Sequence, residues 1–235
     1  MSHFAVAVFH RLDQNIADLL APYSEHLEVK PYLQYTRQQA IDWVRKHIEQ
    51  FKTAPDEDCW NFMAQDYEDG MKDADGNLFS TYNPKSKWDW YQVGGRYAGM
   101  LKTKYGNVNE APVEAIDLTP DEHIYKRAVH FWEVVVEGIP LQPWENKADF
   151  IAAYKKEYYL NYYKDKETYA KISASFSTYA CITPDGEWHE KGEMGWFGMS
   201  SESAEESLDW DLHFRERFID NAEAGLIVTI VDCHI

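Results

Sequence analysis

Two short apolar runs, one near each end of the chain, give the clearest structural signals in the sequence. Residues 4–9 (FAVAVF) and residues 226–231 (LIVTIV) are almost entirely apolar. Runs of this length are typical of strands that are buried on both faces of a sheet. We therefore predict two buried strands, and we expect them to be neighbours in one sheet.

Between these runs, apolar residues recur at the spacing of helices and of shorter strands. Residues 36–51 show the helical pattern most clearly, and Thr36 is placed to cap the first turn. Helices are also predicted over residues 12–20, 121–131, 148–162 and 202–219. Further strands are predicted over residues 28–33, 132–136, 176–182 and 187–189, with turns at 73–77 and 183–186. The stretches 55–76 and 106–120 are predicted to be irregular.

This mixture of elements predicts the α+β class. The sequence has no internal repeat, no low-complexity tract and no clear linker, so we predict a single domain over residues 1–235. We expect a mixed or antiparallel sheet with helices packed mainly on one face. An aromatic segment, residues 83–97, is expected to be inserted as a loop over that sheet.

Charge and cysteine content limit the classes of binding partner and the cellular compartment that we expect. The chain has 40 acidic and 23 basic residues, a net charge of −17 that disfavours general nucleic-acid binding and anionic membranes. Three distant cysteines favour a reducing, cytoplasmic setting. No signal peptide and no long apolar segment is seen, so no membrane partner is predicted. The sequence leaves a homo-oligomer open.

The aromatic segment (NPKSKWDWYQVGGRY) is the strongest functional signal. Between residues 83 and 105 there are five basic residues and one acidic residue, within an acidic chain. Aromatic rings stack on nucleobases, basic side chains neutralise phosphates, and glycines let backbone N–H groups approach an anion. The segment therefore predicts a site for a planar anion, with these ligand-binding residues: Lys85, Lys87, Trp88, Asp89, Trp90, Tyr91, Gly94, Gly95 and Arg96.

A purely structural interpretation of this segment stays open. Trp88 and Trp90 are two positions apart, so on a strand both rings would lie on one face. They would then pack in the core, and the lysines would be ordinary solvent-facing residues. The contrast between a basic segment and an acidic chain keeps the functional interpretation open beside it.

The last residues of the chain (VDCHI, 231–235) form a secondary candidate site. If the strand continues to the end, Asp232 and His234 lie on one face. An aspartate and a histidine in this arrangement can bind a metal or act as acid and base. A hydrogen-bonded structural pair is the alternative, because the motif is too short to be specific.

A second segment combines histidine, acidic and aromatic residues. His189 alternates with Glu187, and the glycine-rich stretch at 192–198 (GEMGWFG) contains Trp196, which is a candidate to close the ligand pocket. The stretch lacks the ending of a phosphate-binding loop, and no metalloprotease spacing occurs. A hairpin with a solvated acidic face is the alternative. We predict no metal and no cofactor.

Three long motifs give the chain a resemblance to a known family. They are STYNPKSKWDWYQVGGRY (80–97), TPDGEWHEKGEMGWFGMSSE (183–202) and VDCHI (231–235), and the segments at 4–9 and 20–29 are also similar. The chain resembles accessory proteins encoded by bacteriophages and integrative elements, often of Gram-positive hosts. The resemblance implies a genetic setting rather than a reaction. Accessory genes of phages often encode counter-defence proteins, some of which sequester the small nucleotides that bacterial immune systems use as signals.

Three hypotheses follow from the residues and from the resemblance. The first is a binding protein, or sponge, that sequesters a nucleotide-like immune signal in the aromatic segment. The second is an enzyme, a phosphodiesterase or glycohydrolase, that degrades such a signal. Its candidates for acid–base chemistry or for metal binding are Asp89, Asp185, His189, Asp232 and His234. The third is an acidic decoy that binds a host nucleic-acid-binding protein through residues 56–75 and 202–211.

Overall fold

The chain forms two compact units in a computed structural model that describes residues 2–68, 70–193 and 200–235. Met1–Ala21 and Lys87–Ile235 make up the larger unit, and Pro22–Ser86 make up the smaller one. The single domain expected over residues 1–235 stays a prediction.

Helices and short strands are distributed along the whole chain, and the α+β class is confirmed. The described helices are α1 (Ile16–Leu20), α2 (Arg37–His47), α3 (Asp56–Ala64), α4 (Glu122–Val135), α5 (Lys156–Tyr163), α6 (Lys166–Ala174) and α7 (Ala204–Arg215). The described strands are β1 (His3–His10), β2 (Tyr32–Tyr35), β3 (Leu78–Ser80), β4 (Trp90–Val93), β5 (Leu101–Thr103), β6 (Gly106–Val108), β7 (Glu110–Pro112), β8 (Ala180–Ile182), β9 (Trp188–Glu190) and β10 (Ile227–His234). None of these helices combines the length and apolar character needed to span a bilayer.

A mixed sheet lies at the centre of the larger unit, in the strand order β4-β10-β1-β8-β9, with β7 also paired to β10. β1 and β10 pair antiparallel along their full length, from His3 opposite His234 to His10 opposite Ile227. The expectation that the first and last apolar runs are neighbours is therefore confirmed. β8 pairs parallel to β1 on its other side, which makes the sheet mixed.

One face of this sheet is covered by α7. Phe9, Val228 and Ile230 pack against Phe214 and Trp210 of the helix. Ser203 caps the helix and forms a reciprocal capping box with Glu206, a device that satisfies two otherwise unpaired N–H groups. A π-helical turn, Glu216–Asp220, extends the helix. The prediction of a helix over residues 202–219 is confirmed.

The smaller unit is built around α2 and α3. Ile41 and Val44 of α2 pack against Cys59 of α3, and β2 pairs antiparallel with β3. Thr36 caps α2 in a capping box with Gln39, as the sequence predicts.

The prediction of a strand over residues 132–136 is wrong. These residues end α4, and Trp132 and Val136 lie one helical turn apart, buried with Tyr159. The run of valines in this segment is typical of strands, but packing on one helical face decides the outcome.

Two stretches predicted to be irregular contain regular structure. α3 forms after Pro55, and its first turn holds three acidic residues, which favour a helix N-terminus. β6 and β7 form within residues 106–120, and β7 pairs with β10. Several elements have other boundaries than predicted. The strand predicted over 28–33 is Tyr32–Tyr35, the helix predicted over 148–162 is Lys156–Tyr163, and the strand predicted over 176–182 is Ala180–Ile182.

The packing of α7 gives a stability prediction. Phe214 is 0% exposed, so Phe214→Ala should lower the free energy of unfolding by about 3–5 kcal/mol. Leu212, on the same helix and 43% exposed, is the control, and Leu212→Ala should change it by about 0.5 kcal/mol or less. Urea denaturation measures both. Equal losses for the two variants would contradict the described packing of α7.

Candidate functional site

Three aromatic rings meet where β1, β10 and β4 lie side by side. His3, His234 and Trp90 occupy neighbouring register positions on the same face of the sheet. The Trp90 ring stacks on the His234 imidazole, with centroids 5.0 Å apart and an interplanar angle of 17°. The His3 ring meets both edge-on, with its centroid 5.0 Å from that of His234 and 5.4 Å from that of Trp90.

A carboxylate holds each imidazole at Nδ1. Asp232 Oδ1 lies 2.9 Å from His3 Nδ1, and Asp89 Oδ1 lies 2.6 Å from His234 Nδ1. Because an ionised carboxylate only accepts hydrogen bonds, each ring donates from Nδ1 and keeps Nε2 for another partner. We call this group the Trp90 site: Trp90, His3, His234, Asp89, Asp232 and the neighbouring Arg96.

Backbone groups fix both carboxylates. The Arg96 N–H donates to Asp232 Oδ2 at 2.9 Å, and the Trp90 N–H donates to Asp89 Oδ1 at 2.7 Å. The Asp89 N–H donates in turn to the His234 carbonyl at 3.0 Å. Hydrogen bonds to a charged partner are stronger than neutral ones, so the positions of the two imidazoles are set by the chain itself.

The paired glycines make room for two neighbouring side chains, Gly95 for Asp232 and Gly94 for Asn109. Gly95 has a φ of +49°, and a Cβ there would lie 2.4 Å from Asp232 Oδ2. A Cβ on Gly94 would lie 2.4 Å from Nδ2 of the Asn109 side chain. The Oδ1 atom of the same side chain accepts a hydrogen bond from the Gly99 N–H. The anion that the glycine pair brings to a backbone N–H is therefore the protein's own Asp232.

Burial differs sharply within the Trp90 site. The Asp232 and His234 side chains are 2% and 5% exposed, whereas Trp90 is 43% exposed. The Tyr97 hydroxyl donates to the His3 carbonyl, and burial together with the Asp232 charge raises the pKa of Tyr97. The site thus combines a buried layer of fixed polar side chains with the solvent-exposed ring of Trp90.

The predicted ligand-binding residues are divided between the two faces of the sheet. Residues 90–93 form the edge strand β4, so Trp90 and Tyr91 point to opposite faces. Trp88 is buried, lies edge-on to Tyr91, and its Nε1 has no hydrogen-bond partner among the described residues. Lys87 donates to Glu190 Oε1 at 2.6 Å.

The remaining predicted residues have different surroundings. Arg96 is exposed, and no carboxylate within the described ranges forms an ion pair with it. Lys85 is an exposed residue of the smaller unit. Trp196 lies in 194–199, outside the described residues.

His189 is separated from the Trp90 site by the strand order. It lies on β9, at the edge opposite β4, where its ring is 5.3 Å from that of Phe218. Asp185 lies in the turn at 183–186 and accepts from the Thr183 hydroxyl. Asp89, Asp232 and His234 are therefore brought together, and Asp185 and His189 are elsewhere. Over the described ranges, no three histidine, cysteine, aspartate or glutamate side chains are arranged to hold a metal ion.

Cys233 lies between Asp232 and His234 in the sequence but on the other face of the sheet. Burial raises the pKa of its thiol far above the ordinary value, with smaller contributions from Asp232 and Asp89. The thiol therefore stays protonated and is a poor nucleophile.

His3 is the site residue that the sequence interpretation missed. It is a single polar residue directly before the apolar run at 4–9, and no neighbouring residue marks it as part of a site. The signal was present, because antiparallel pairing of the two terminal strands with ends aligned places residue 3 opposite residue 234.

Comparisons with known proteins add no relative: no protein-family model, curated protein or solved structure matches the chain. The interpretation of the site therefore depends on its own geometry.

The role of Gly95 can be tested with a matched substitution. Gly95→Ala should destabilise the protein by roughly 1–3 kcal/mol more than Gly138→Ala. Gly138 also has a positive φ, of +78°, but nothing lies within 4 Å of a Cβ built there. The difference in the free energy of unfolding reports the displacement of Asp232. Equal effects would show that backbone strain alone accounts for the glycine.

Proposed function

We propose that this protein binds a small, anionic, nucleotide-like ligand at the Trp90 site. The observation that carries the proposal is the exposed Trp90 ring, stacked on an imidazole that Asp89 fixes in place. In this proposal the base of the ligand stacks on Trp90, and its anionic group meets Arg96 and the imidazoles.

The stacking surface is preorganised. One face of the Trp90 ring lies against His234, and that ring is held by Asp89 and by its neighbours on the sheet. A ligand that stacks on Trp90 therefore has little side-chain freedom to remove, which favours affinity. Stacking of a base on an aromatic side chain contributes about 1–3 kcal/mol.

Arg96 offers the Trp90 site one guanidinium for a small anion, and the net charge of the chain opposes a polyanion. Arg96 is exposed and not engaged by a described carboxylate, and a guanidinium binds phosphate oxygens in pairs. The net charge of −17 opposes the approach of long nucleic acids. Lys87 is paired with Glu190, so it contributes less to this site than its position in the sequence suggests.

The resemblance to phage accessory proteins supplies a biological role for such a site. We propose that the protein is a sponge that sequesters a nucleotide immune signal in the cytoplasm of the host. All three cysteines are free and buried, as is usual in a reducing compartment.

Trp90→Ala tests the proposal directly. Against a panel of cyclic oligonucleotides and ADP-ribose derivatives, a bound compound should raise the melting temperature of the native protein by mass action. Trp90→Ala should weaken that binding by about 1–3 kcal/mol, and Arg96→Ala should weaken it as well. Trp144→Ala, which removes a ring that is 80% exposed elsewhere in the same unit, should leave it unchanged. Full binding by both test variants would refute the assignment.

Hydrolysis of the ligand is the second candidate function. The two imidazoles, each held at Nδ1 by a carboxylate, favour it. A neutral ring can accept a proton at Nε2, and the imidazolium so formed can return that proton to the leaving group. A phosphodiesterase or a glycohydrolase could use this arrangement.

Mass spectrometry of each mixture separates the two functions. A sponge returns the compound intact, and an enzyme returns a new mass. If turnover occurs, His234→Asn should lower kcat by roughly 100-fold or more, whereas His213→Asn, on the surface of α7, should not. Turnover that survives both His3→Asn and His234→Asn would exclude the two imidazoles as the acid and base.

The acidic decoy has less support. In the proposed contact stretches, Asp56 and Glu57 pair with Arg45 and Arg37, and Asp211 pairs with Lys191. Carboxylates that are already paired are poor mimics of a phosphate backbone. If the nucleotide panel gives neither binding nor turnover, a salt-sensitive protein partner becomes the next candidate.

A further inference from the structure

A cavity lies in the larger unit, near the other end of β1 from His3. Its volume is about 420 Å³, and its lining includes Phe9, Arg11, Asp185, Arg217, Phe218 and Leu226. The six steps along β1 from His3 to Phe9 span roughly 20 Å of strand, so the cavity is separate from the Trp90 site. We call it the Asp185 cavity. A volume of this size is in the range of small-molecule sites.

The inner wall of the Asp185 cavity is apolar. Phe9 and Leu226 are almost fully buried, and Phe218 packs against Trp210 and Phe214 with ring centroids 5.4 Å and 5.2 Å apart. These side chains are held by the core beneath α7. Phe218 is half-buried and offers the accessible apolar surface, while Phe9 and Leu226 close the cavity behind it.

Asp185 supplies the cavity with a carboxylate that has no ion-pair partner among the described residues. Its Oδ1 accepts from the Thr183 hydroxyl at 2.6 Å, and this hydrogen bond lowers the pKa of the carboxyl group. Asp185 therefore stays ionised at neutral pH. In the part of the chain that the structure describes, no lysine, arginine or histidine nitrogen forms an ion pair with it. An ammonium group is the natural partner for such a carboxylate.

Arg11 and Arg217 supply positive charge to the same cavity. Each is bonded through a single Nη2 atom to one exposed carboxylate, Arg11 to Glu223 and Arg217 to Asp209. A guanidinium has five N–H donors, so each keeps donors for a further acceptor. Exposed ion pairs of this kind contribute little to stability and rearrange easily. A carboxylate of a ligand can therefore join either guanidinium.

The backbone that presents Arg217 and Phe218 is unusual. Both residues belong to the π-helical turn Glu216–Asp220. Such turns are rare and are found frequently at functional sites. Here the turn brings a cationic and an apolar side chain, adjacent in sequence, to the lining of one cavity.

We propose that the Asp185 cavity binds a small zwitterion with an apolar side chain, such as a free aromatic or aliphatic α-amino acid. The ammonium group binds Asp185, the carboxylate binds Arg217 or Arg11, and the side chain packs on Phe9 and Phe218. Charged lining residues of both signs, two arginines and two acidic residues, favour a zwitterion over a simple anion.

Titration of the full chain with L-phenylalanine, followed by amide NMR, tests this proposal. The backbone amide signals of residues 183, 185–187 and 216–226 should shift. N-acetyl-L-phenylalanine lacks the ammonium group and L-phenylalaninamide lacks the carboxylate, so each should bind at least about 10-fold more weakly. Equal binding of all three compounds, or no shifts at about 1 mM L-phenylalanine, would overturn the proposal.

Two variants assign the charged groups. Asp185→Asn should weaken binding of L-phenylalanine but not of N-acetyl-L-phenylalanine. Arg217→Gln should weaken binding of L-phenylalanine but not of the amide. Arg45→Gln, in the smaller unit, is the control and should change nothing. Retention of full L-phenylalanine affinity in both test variants would contradict the assignment, even if one of them perturbed the local turn. Trp90→Ala should leave this binding intact, which separates it from the nucleotide proposal.

Discussion

The antiparallel pairing of β1 with β10 is the constraint on which the larger unit depends. Eight residues of each strand are paired, and the other strands of the sheet are added on the outer sides of this pair. The pairing sets His3 opposite His234 and brings Asp232 to the same face. Because side chains alternate along a strand, a slip of one residue would move a whole set of side chains to the other face. The core beneath α7 and the Trp90 site are therefore specified by the same register.

Several features could be predicted from the sequence because they depend on local patterns. The two apolar runs, the helix capped by Thr36 and the turn at 183–186 each have a short-range signal, and the structure contains all of them. The strand predicted over residues 132–136 failed because intrinsic preference is weaker than packing. Trp132 and Val136 are one turn apart, and that spacing suits the helix they end.

The candidate site was only partly predictable, for a related reason. Proximity in the sequence suggested that the aromatic segment acts as one cluster. Strand geometry instead separates neighbouring side chains, so Trp90 is grouped with His3 and His234, and Trp88 with Tyr91. His3 and Asp232 are 229 positions apart, and only the strand pairing reveals that they form a hydrogen bond. Long-range pairing of this kind leaves no local pattern.

The hydrogen bond between Asp232 and residue 96 distinguishes what the fold requires at this position from what a ligand would require. The fold requires the backbone N–H, and a ligand would require the side chain. The fold uses only the backbone N–H at this position, so every residue except proline can supply it. At position 95, by contrast, the close approach of Asp232 admits only glycine. Among relatives of this chain, an invariant glycine at 95 would therefore record a steric requirement. An invariant arginine at 96 would record selection for its charge, because no carboxylate in the described part of the chain pairs with that side chain.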